Sequence, residues 1–276
     1  MSFRDRGVEI KTPEQIKKMR LAGLVVGRTL RLLAETAKAG MTTGELDAIA
    51  EDSIRSQGAI PSFKGYAHPP FPASICASVN DEIVHGIPGD RVLADGDLLS
   101  VDCGAIVDGW HGDAALSIPI GEVAPAATEL MRVTRESLWR GIAAARLGGR
   151  VTDISHAVET YVRSQGPYGI IEDFVGHGIG SAMHQPPNVP NHGRPGRGPK
   201  LVPGLALAVE PMVVAGDQAN RLLDDEWTVA TLDGSLAAHF EHTFTLTPNG
   251  AWVLTALDGG EAELAALGVP FGPLAD

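Results

Sequence analysis

The sequence predicts an α+β fold: two similar halves, each of helices and strands, packed around one shared centre. Three observations predict it. Landmarks of the first half return 108 residues later, each half opens with two helical segments, and each then runs into apolar, strand-like stretches that carry carboxylates. Arg55-Ser56-Gln57-Gly58 recurs as Arg163-Ser164-Gln165-Gly166, and Gly40 with Gly148, Gly96 with Gly204 and Asp102 with Glu210 keep the same offset. A four-residue match arises by chance, but four landmarks at one offset point to an internal duplication. The period is too long for a solenoid. No Pro/Gly/Ser linker divides the halves, so the chain reads as a single domain, 1–276. Its pseudo-repeats span about 12–120 and 121–255, and 256–276 are expected to form a surface tail.

Each element has a local reason. Thr12-Pro13-Glu14-Gln15 is a helix start, with Thr12 as cap, proline at the first helical position and Gln15 completing a capping box. Apolar residues then recur through Met19, Leu21, Leu24, Val25, Leu30 and Leu33 until Gly40. Thr42 and Glu45 open a second helix, with Leu46, Ile49, Ala50 and Ile54 on one face, that stops at Gly58. In the second half the matching helices are expected from about Ala127 to Leu147 and from about Asp153 to Gln165. Leu98 to Val107 and Trp110 to Ile118 read as strands, and Asp108-Gly109 between them is a two-residue hairpin signal. That turn sets Val107 opposite Trp110, Gly104 opposite Asp113 and Asp102 opposite Ala115.

Composition narrows the function. A net charge of −12 argues against a nucleic-acid or anionic-membrane surface as the main partner. Cys76 and Cys103 are the two cysteines, too few for a disulfide scaffold, so a reducing compartment is expected. Met1-Ser2-Phe3-Arg4-Asp5-Arg6 has no apolar core of a signal peptide, and no run of about 18 apolar residues occurs. A soluble cytoplasmic protein is expected.

The carboxylates point to chemistry. Asp102 and Asp113 fall on one face of the hairpin as diagonal neighbours, about 7–8 Å apart at the backbone. Two unpartnered carboxylates there would repel each other and resist burial, and cations would relieve both problems. The plain alternative is that Asp113 is a solvated strand residue. Glu210 ends the apolar run Leu205-Ala206-Leu207-Ala208-Val209, and Glu241 lies within the strand-like Ala237–Leu246, so both need partners. The duplication sets Asp102 and Glu210 at matching places, with Asp113 and Glu241 as the second carboxylate of each half. Four converging carboxylates can hold two divalent cations roughly 3.5–4 Å apart. Of nine histidines, His177 between glycines, His85 and His184 stand out; His68, His111, His156, His192, His239 and His242 read as surface or core residues.

Taken together and in order, these segments resemble the methionine aminopeptidase family, type I. The resemblance is carried by Ile10-Lys11-Thr12-Pro13, Ser78-Val79-Asn80-Asp81-Glu82-Ile83-Val84-His85-Gly86-Ile87-Pro88, Val101-Asp102, His111-Gly112-Asp113, Gly176-His177-Gly178-Ile179-Gly180, Val209-Glu210-Pro211-Met212 and Glu241-His242-Thr243. It implies a pita-bread fold, with a curved, mostly antiparallel sheet under helices. It implies Asp102, Asp113, His177, Glu210 and Glu241 as ligands of two divalent ions (Co, Mn, Fe(II) or Zn), Asp102 and Glu241 bridging. His85 and His184 would bind substrate and act in catalysis, Glu210 would shuttle a proton, and Phe71, Cys76 and Trp227 would line a methionine pocket. Ordinary core packing is the alternative for those three.

The implied reaction removes the initiator methionine from nascent proteins when the second residue is small and uncharged. Hydroxide generated at the two metals attacks the first peptide bond. A monomer, in transient contact with the ribosome, is expected. The chain departs from the family pattern at Gln185, where many bacterial relatives are acidic, at Met183, where an aromatic is common, and at His68, where tyrosine is common. The short gap between Glu210 and Glu241 has no room for the helical insertion of type II enzymes. Two rivals share the scaffold: an Xaa-Pro aminopeptidase or prolidase, and a non-catalytic ribosome-associated protein. The start of the fold near residue 10 and the full ligand set count against them.

Overall fold

The computed structural model describes residues 7–275. Met1 to Arg6, on which the expectation about a leader rests, lie outside the described residues.

Among the described residues five helices form: α1 Pro13–Thr36, α2 Thr43–Ser56, α3 Pro125–Ala144, α4 Val151–Gln165 and α5 Glu261–Ala266. Both expected capping boxes are present. Thr12 N–H donates to Gln15 Oε1 at 2.8 Å and Gln15 N–H to Thr12 Oγ1 at 3.3 Å; Thr42 and Glu45 do the same at 2.8 and 3.1 Å. Each such cap stabilises its helix by about 1 kcal/mol. Helix α4 begins two residues before its expected start because Asp153 is not the opener. It is the third helical residue, and its carboxylate reaches back to Arg150 N–H at 2.7 Å.

Among the described residues the strands pair antiparallel throughout, as the pita-bread fold requires, and fall into four hydrogen-bonded groups. In the first half Leu98–Val107 lies between Ile75–Val79 and Trp110–Pro119. The hairpin register is the expected one: Val107 faces Trp110, Gly104 faces Asp113 and Asp102 faces Ala115. Asp108 and Gly109 both take positive φ, 49° and 78°, as a type I′ turn requires. In the second half His242–Thr247 lies between Ala206–Val209 and Gly250–Val253. Each half builds its own core. Leu33, Leu46, Ile54, Leu99 and Val101 are buried in one; Ile142, Ile154, Leu207, Val209 and Phe244 are buried in the other. Each fully buried Leu, Ile, Val or Phe contributes about 1.5–3 kcal/mol.

Helix α1 sits close enough to the hairpin that only glycine serves at the contact. A Cβ on Gly112 would lie 2.7 Å from Gly23 N, and one on Gly23 would lie 2.1 Å from Leu254 O. Gly112 precedes Asp113, so this approach fixes the backbone that presents that carboxylate.

Two expectations need correction. Ala237–Leu246 is not one strand: it divides into Ala237–His239 and His242–Thr247. Between them Glu241 leaves its own half and pairs with Ala115, N–H to O at 2.9 Å and the reverse at 3.3 Å. Nor do residues 256–275 trail as a surface tail. Leu264 is 0 % exposed within the second core, and Gly272 N–H donates to Ala251 O at 2.9 Å. The apolar Leu264 and Val269 make the packing favourable. No helix among the described residues is long and apolar enough to cross a membrane.

Candidate metal centre and substrate pocket

One cavity lies where the halves meet. Asp102, Asp113, His177, Glu210 and Glu241 line it, together with His85, His184, Phe71, Cys76 and Trp227. Every expected site residue is therefore brought together. Phe63, Tyr66 and Met183 complete the lining. His68 does not line it; the aromatic contribution of that loop is Tyr66, two residues earlier.

The hairpin supplies Asp102 and Asp113 from one face. Cys76 stands directly across from Asp102 on the neighbouring strand, which places the thiol beside the acidic wall. Glu210 follows the strand Ala206–Val209, and Glu241 sits in the break described above. His177 comes from the short strand Gly176–Gly178. One ligand atom from each of Asp113, His177 and Glu241 lies within 4.8 Å of the others. Glu210 Oε1 is 3.5 Å from His177 Nε2.

The donor set suits a cation. Asp102 Oδ1, Asp113 Oδ1 and Glu241 Oε1 are buried without a hydrogen-bond partner, an arrangement that costs free energy unless something positive neutralises it. Burial pushes the Asp102 carboxyl up to about 7. Asp113 is pushed well up by burial, then by Asp102 and Glu210, and Glu210 and Glu241 are raised in the same way. Burial lowers His177 to about 3, so its imidazole is neutral. Its Nδ1 lies 3.0 Å from Gly178 O; the Nδ1–H tautomer donates there and leaves the Nε2 lone pair facing the carboxylates. Mixed carboxylate and imidazole donors are a divalent-metal set.

His184 packs on His177, ring centroids 4.3 Å apart, and its Nδ1 lies 2.6 Å from the Tyr66 hydroxyl. His85 stands edge-on to Trp227 at 6.1 Å and is lowered by burial to about 4, so it too is neutral. Its backbone takes φ 61°, a left-handed conformation uncommon for histidine and found at functional sites. Phe71 meets Trp227 edge-to-face at 5.1 Å, and with Cys76 and Met183 they form an apolar recess beside the acidic wall.

Phe63, Tyr66 and His239 were not singled out as site residues in the sequence. Tyr66 lies in a Gly/Pro-rich loop with no periodicity to mark it. His239, read there as an ordinary histidine, is 2 % exposed, and its Nε2 lies 3.8 Å from Glu210 Oε2. Its place beside an acidic run was the available signal.

A pseudo-symmetric α+β fold that gathers four carboxylates, Asp113 and Glu241 buried and Asp102 and Glu210 half-buried, and a neutral imidazole beside an apolar recess defines a metallohydrolase. Residues 17–248 match metallopeptidase family M24. The chain is 54 % identical over 247 residues to the methionine aminopeptidase of Clostridium acetobutylicum, covering 89 % of this chain and 98 % of that one. It is 49 % identical over 256 residues to methionine aminopeptidase 1 of Mycobacterium tuberculosis, covering 91 % and 96 %. The methionine aminopeptidase structure from Thermotoga maritima superimposes with a TM-score of 0.87 at 42 % identity, over 90 % of this chain and 99 % of that one. The prolidase of Pyrococcus furiosus shares the fold, with a TM-score of 0.72 at 21 % identity, but this chain spans 66 % of its length. The chain belongs to metallopeptidase family M24 and, within it, to the methionine aminopeptidases.

Proposed function

We propose that the chain removes methionine from the N-termini of nascent proteins whose second residue is small and uncharged, using two divalent ions. Asp102, Asp113, His177, Glu210 and Glu241 would hold the ions, with Asp102 and Glu241 shared between them. The single observation that carries this reading is the trio of buried carboxylate oxygens without partners, on Asp102, Asp113 and Glu241, facing the Nε2 of His177.

A bound metal pair supplies a nucleophile at neutral pH by acidifying water, and a Lewis acid for the carbonyl. The side chains do the rest. Phe71, Cys76, Trp227 and Met183 enclose the first side chain, and a thioether packs well against aromatic rings. The Tyr66 hydroxyl donates to His184 Nδ1, which leaves Nε2–H as a donor for the oxygen of the first peptide carbonyl as charge develops there. Glu210 moves the proton of the attacking water toward the departing amide nitrogen, and His85 hydrogen-bonds near that nitrogen. The second residue emerges beside His85 and His184. A bulky side chain there displaces the amide, and about 1 Å of misplacement costs on the order of 100-fold in rate. Two free buried cysteines suit work on nascent chains in a reducing compartment.

The test is kcat/KM on Met-Ala-Ser, Met-Leu-Ser, Leu-Ala-Ser and Ala-Pro-Ser with metal-loaded protein. Met-Ala-Ser should lead by at least about 100-fold over Met-Leu-Ser. Preference for Ala-Pro-Ser would replace this reading with the proline-specific one.

A further inference from the structure

The segment Glu9 to Lys11 is a strap between the halves. Ile10 bridges to Leu205, and Lys11 N–H donates to Gly204 O at 2.9 Å, just before α1 begins in the first half. The side chains of Glu9 and Lys11 hold the loop 180–185, which carries Met183 and His184 to the cavity.

Glu9 accepts three hydrogen bonds from that loop: from Ser181 N–H at 3.1 Å, Ser181 Oγ at 2.7 Å and Gln185 Nε2 at 2.9 Å. Lys11, its side chain 1 % exposed, donates to Glu9 O at 3.0 Å and Gln185 Oε1 at 3.4 Å, and lies 3.5 Å from Glu9 Oε2. Strap and loop touch without spare room. A Cβ on Gly180 would lie 2.1 Å from Glu9 Oε2 and 2.3 Å from Lys11 Cε. Gln185 serves both partners at once: its Nε2 donates a hydrogen bond to the carboxylate and its Oε1 accepts one from the ammonium. A glutamate there would face Glu9 with no proton to give.

We propose that Glu9 and Lys11 are positioning residues: through Ser181 and Gln185 they fix the loop and thereby aim His184 at the scissile carbonyl. This rests on the reading of His184 as a donor to that oxygen. The strap lines neither the acidic wall nor the apolar recess, but the loop it holds carries Met183 as well as His184, so its loss lowers kcat most, raises KM to a lesser degree and leaves metal content in place.

The experiment uses the full-length, metal-loaded chain and Met-Ala-Ser. Q185E breaks the donor–acceptor match and E9Q removes the charge facing buried Lys11, each with little change of shape. The swap E9Q/Q185E returns a carboxylate to Lys11 and a Gln–Glu pair in reverse order, with Ser181 N–H then left facing an amide nitrogen. H184A and H184A/Q185E complete a cycle. Metal content and melting temperature are measured for each. E9Q and Q185E should lower kcat about 10-fold or more, with a smaller rise in KM and metal content held, since misplacement acts steeply on rate. The swap should regain part of the loss seen in Q185E, and Q185E should change kcat less than about 2-fold in the H184A background. Unchanged kcat in E9Q and Q185E, with H184A impaired, would overturn the strap's role alone. So would an equal Q185E effect with and without His184. Full kcat in H184A would remove the reading of His184 and this proposal with it.

Discussion

Ala115 and Glu241 exchange backbone hydrogen bonds at 2.9 and 3.3 Å across the two halves. Ala115 also stands opposite Asp102 in the hairpin register. One alanine thus ties the carboxylate assigned as shared in the first half to its counterpart in the second. The separation of the two is set by sheet geometry rather than by flexible loops, and this pre-organises a centre that would otherwise repel itself open.

Asp102 and His184 should therefore fail in different ways. Asp102→Asn removes one charge from the acidic cluster proposed to hold the ions, so metal content and kcat should both fall. His184→Ala should keep the metal content of the unaltered protein and lose kcat by about 100- to 1,000-fold, the loss that follows removal of one donor to a developing oxyanion. Metal analysis beside steady-state kinetics separates them. Equal metal loss in both would make His184 a ligand.

Tyr66→Phe should leave metal content and KM unchanged and lower kcat about 5-fold. The hydroxyl is lost from a 2.6 Å contact with His184 Nδ1, and a hydrogen bond of about 1 kcal/mol corresponds to that factor. A change confined to KM would place Tyr66 in methionine binding rather than in holding His184.

The raised carboxyls give the metal-free protein a distinctive pH response. Asp102 stands at about 7, above the ordinary 3.8, and Asp113, Glu210 and Glu241 are raised with it. Such groups hold protons more tightly folded than unfolded. Their stabilising contribution is full below the ordinary carboxylate range and is lost as pH rises through the folded values. His177 and His239, lowered to about 3, act in the opposite direction, but only below the ordinary histidine value of 6.5. Above pH 6.5 the carboxyls prevail. The melting temperature of chelated protein should fall from pH 6.5 to 8.5, and added Mn or Co should raise it more at the higher pH. A rise with pH in chelated protein would contradict the electrostatic account of the cavity.

Much of this was legible in the sequence because it is local. Thr12 with Gln15, Thr42 with Glu45 and Asp108-Gly109 each specify their element within four residues, and the hairpin turn alone fixed the register that sets Asp102 beside Asp113. The ordered motifs located all five acidic-wall residues. What was hidden depends on distant partners. Glu241 interrupts a strand-like stretch because Ala115, far away in the chain, offers a better partner than strand continuation. Leu264 and Val269 pack because the second core has room for them. Tyr66 reaches His184 through a loop with no period to read, while His68, two residues on, stays out of the cavity.

The central claim is that the buried carboxylates hold two divalent ions that the reaction requires. It is tested most directly by stripping the protein with chelator and titrating Mn or Co back while following bound metal and Met-Ala-Ser cleavage together. The account expects no cleavage in stripped protein, two ions bound per chain at saturation, and activity restored as the sites fill. Full cleavage by protein shown to be metal-free would contradict it.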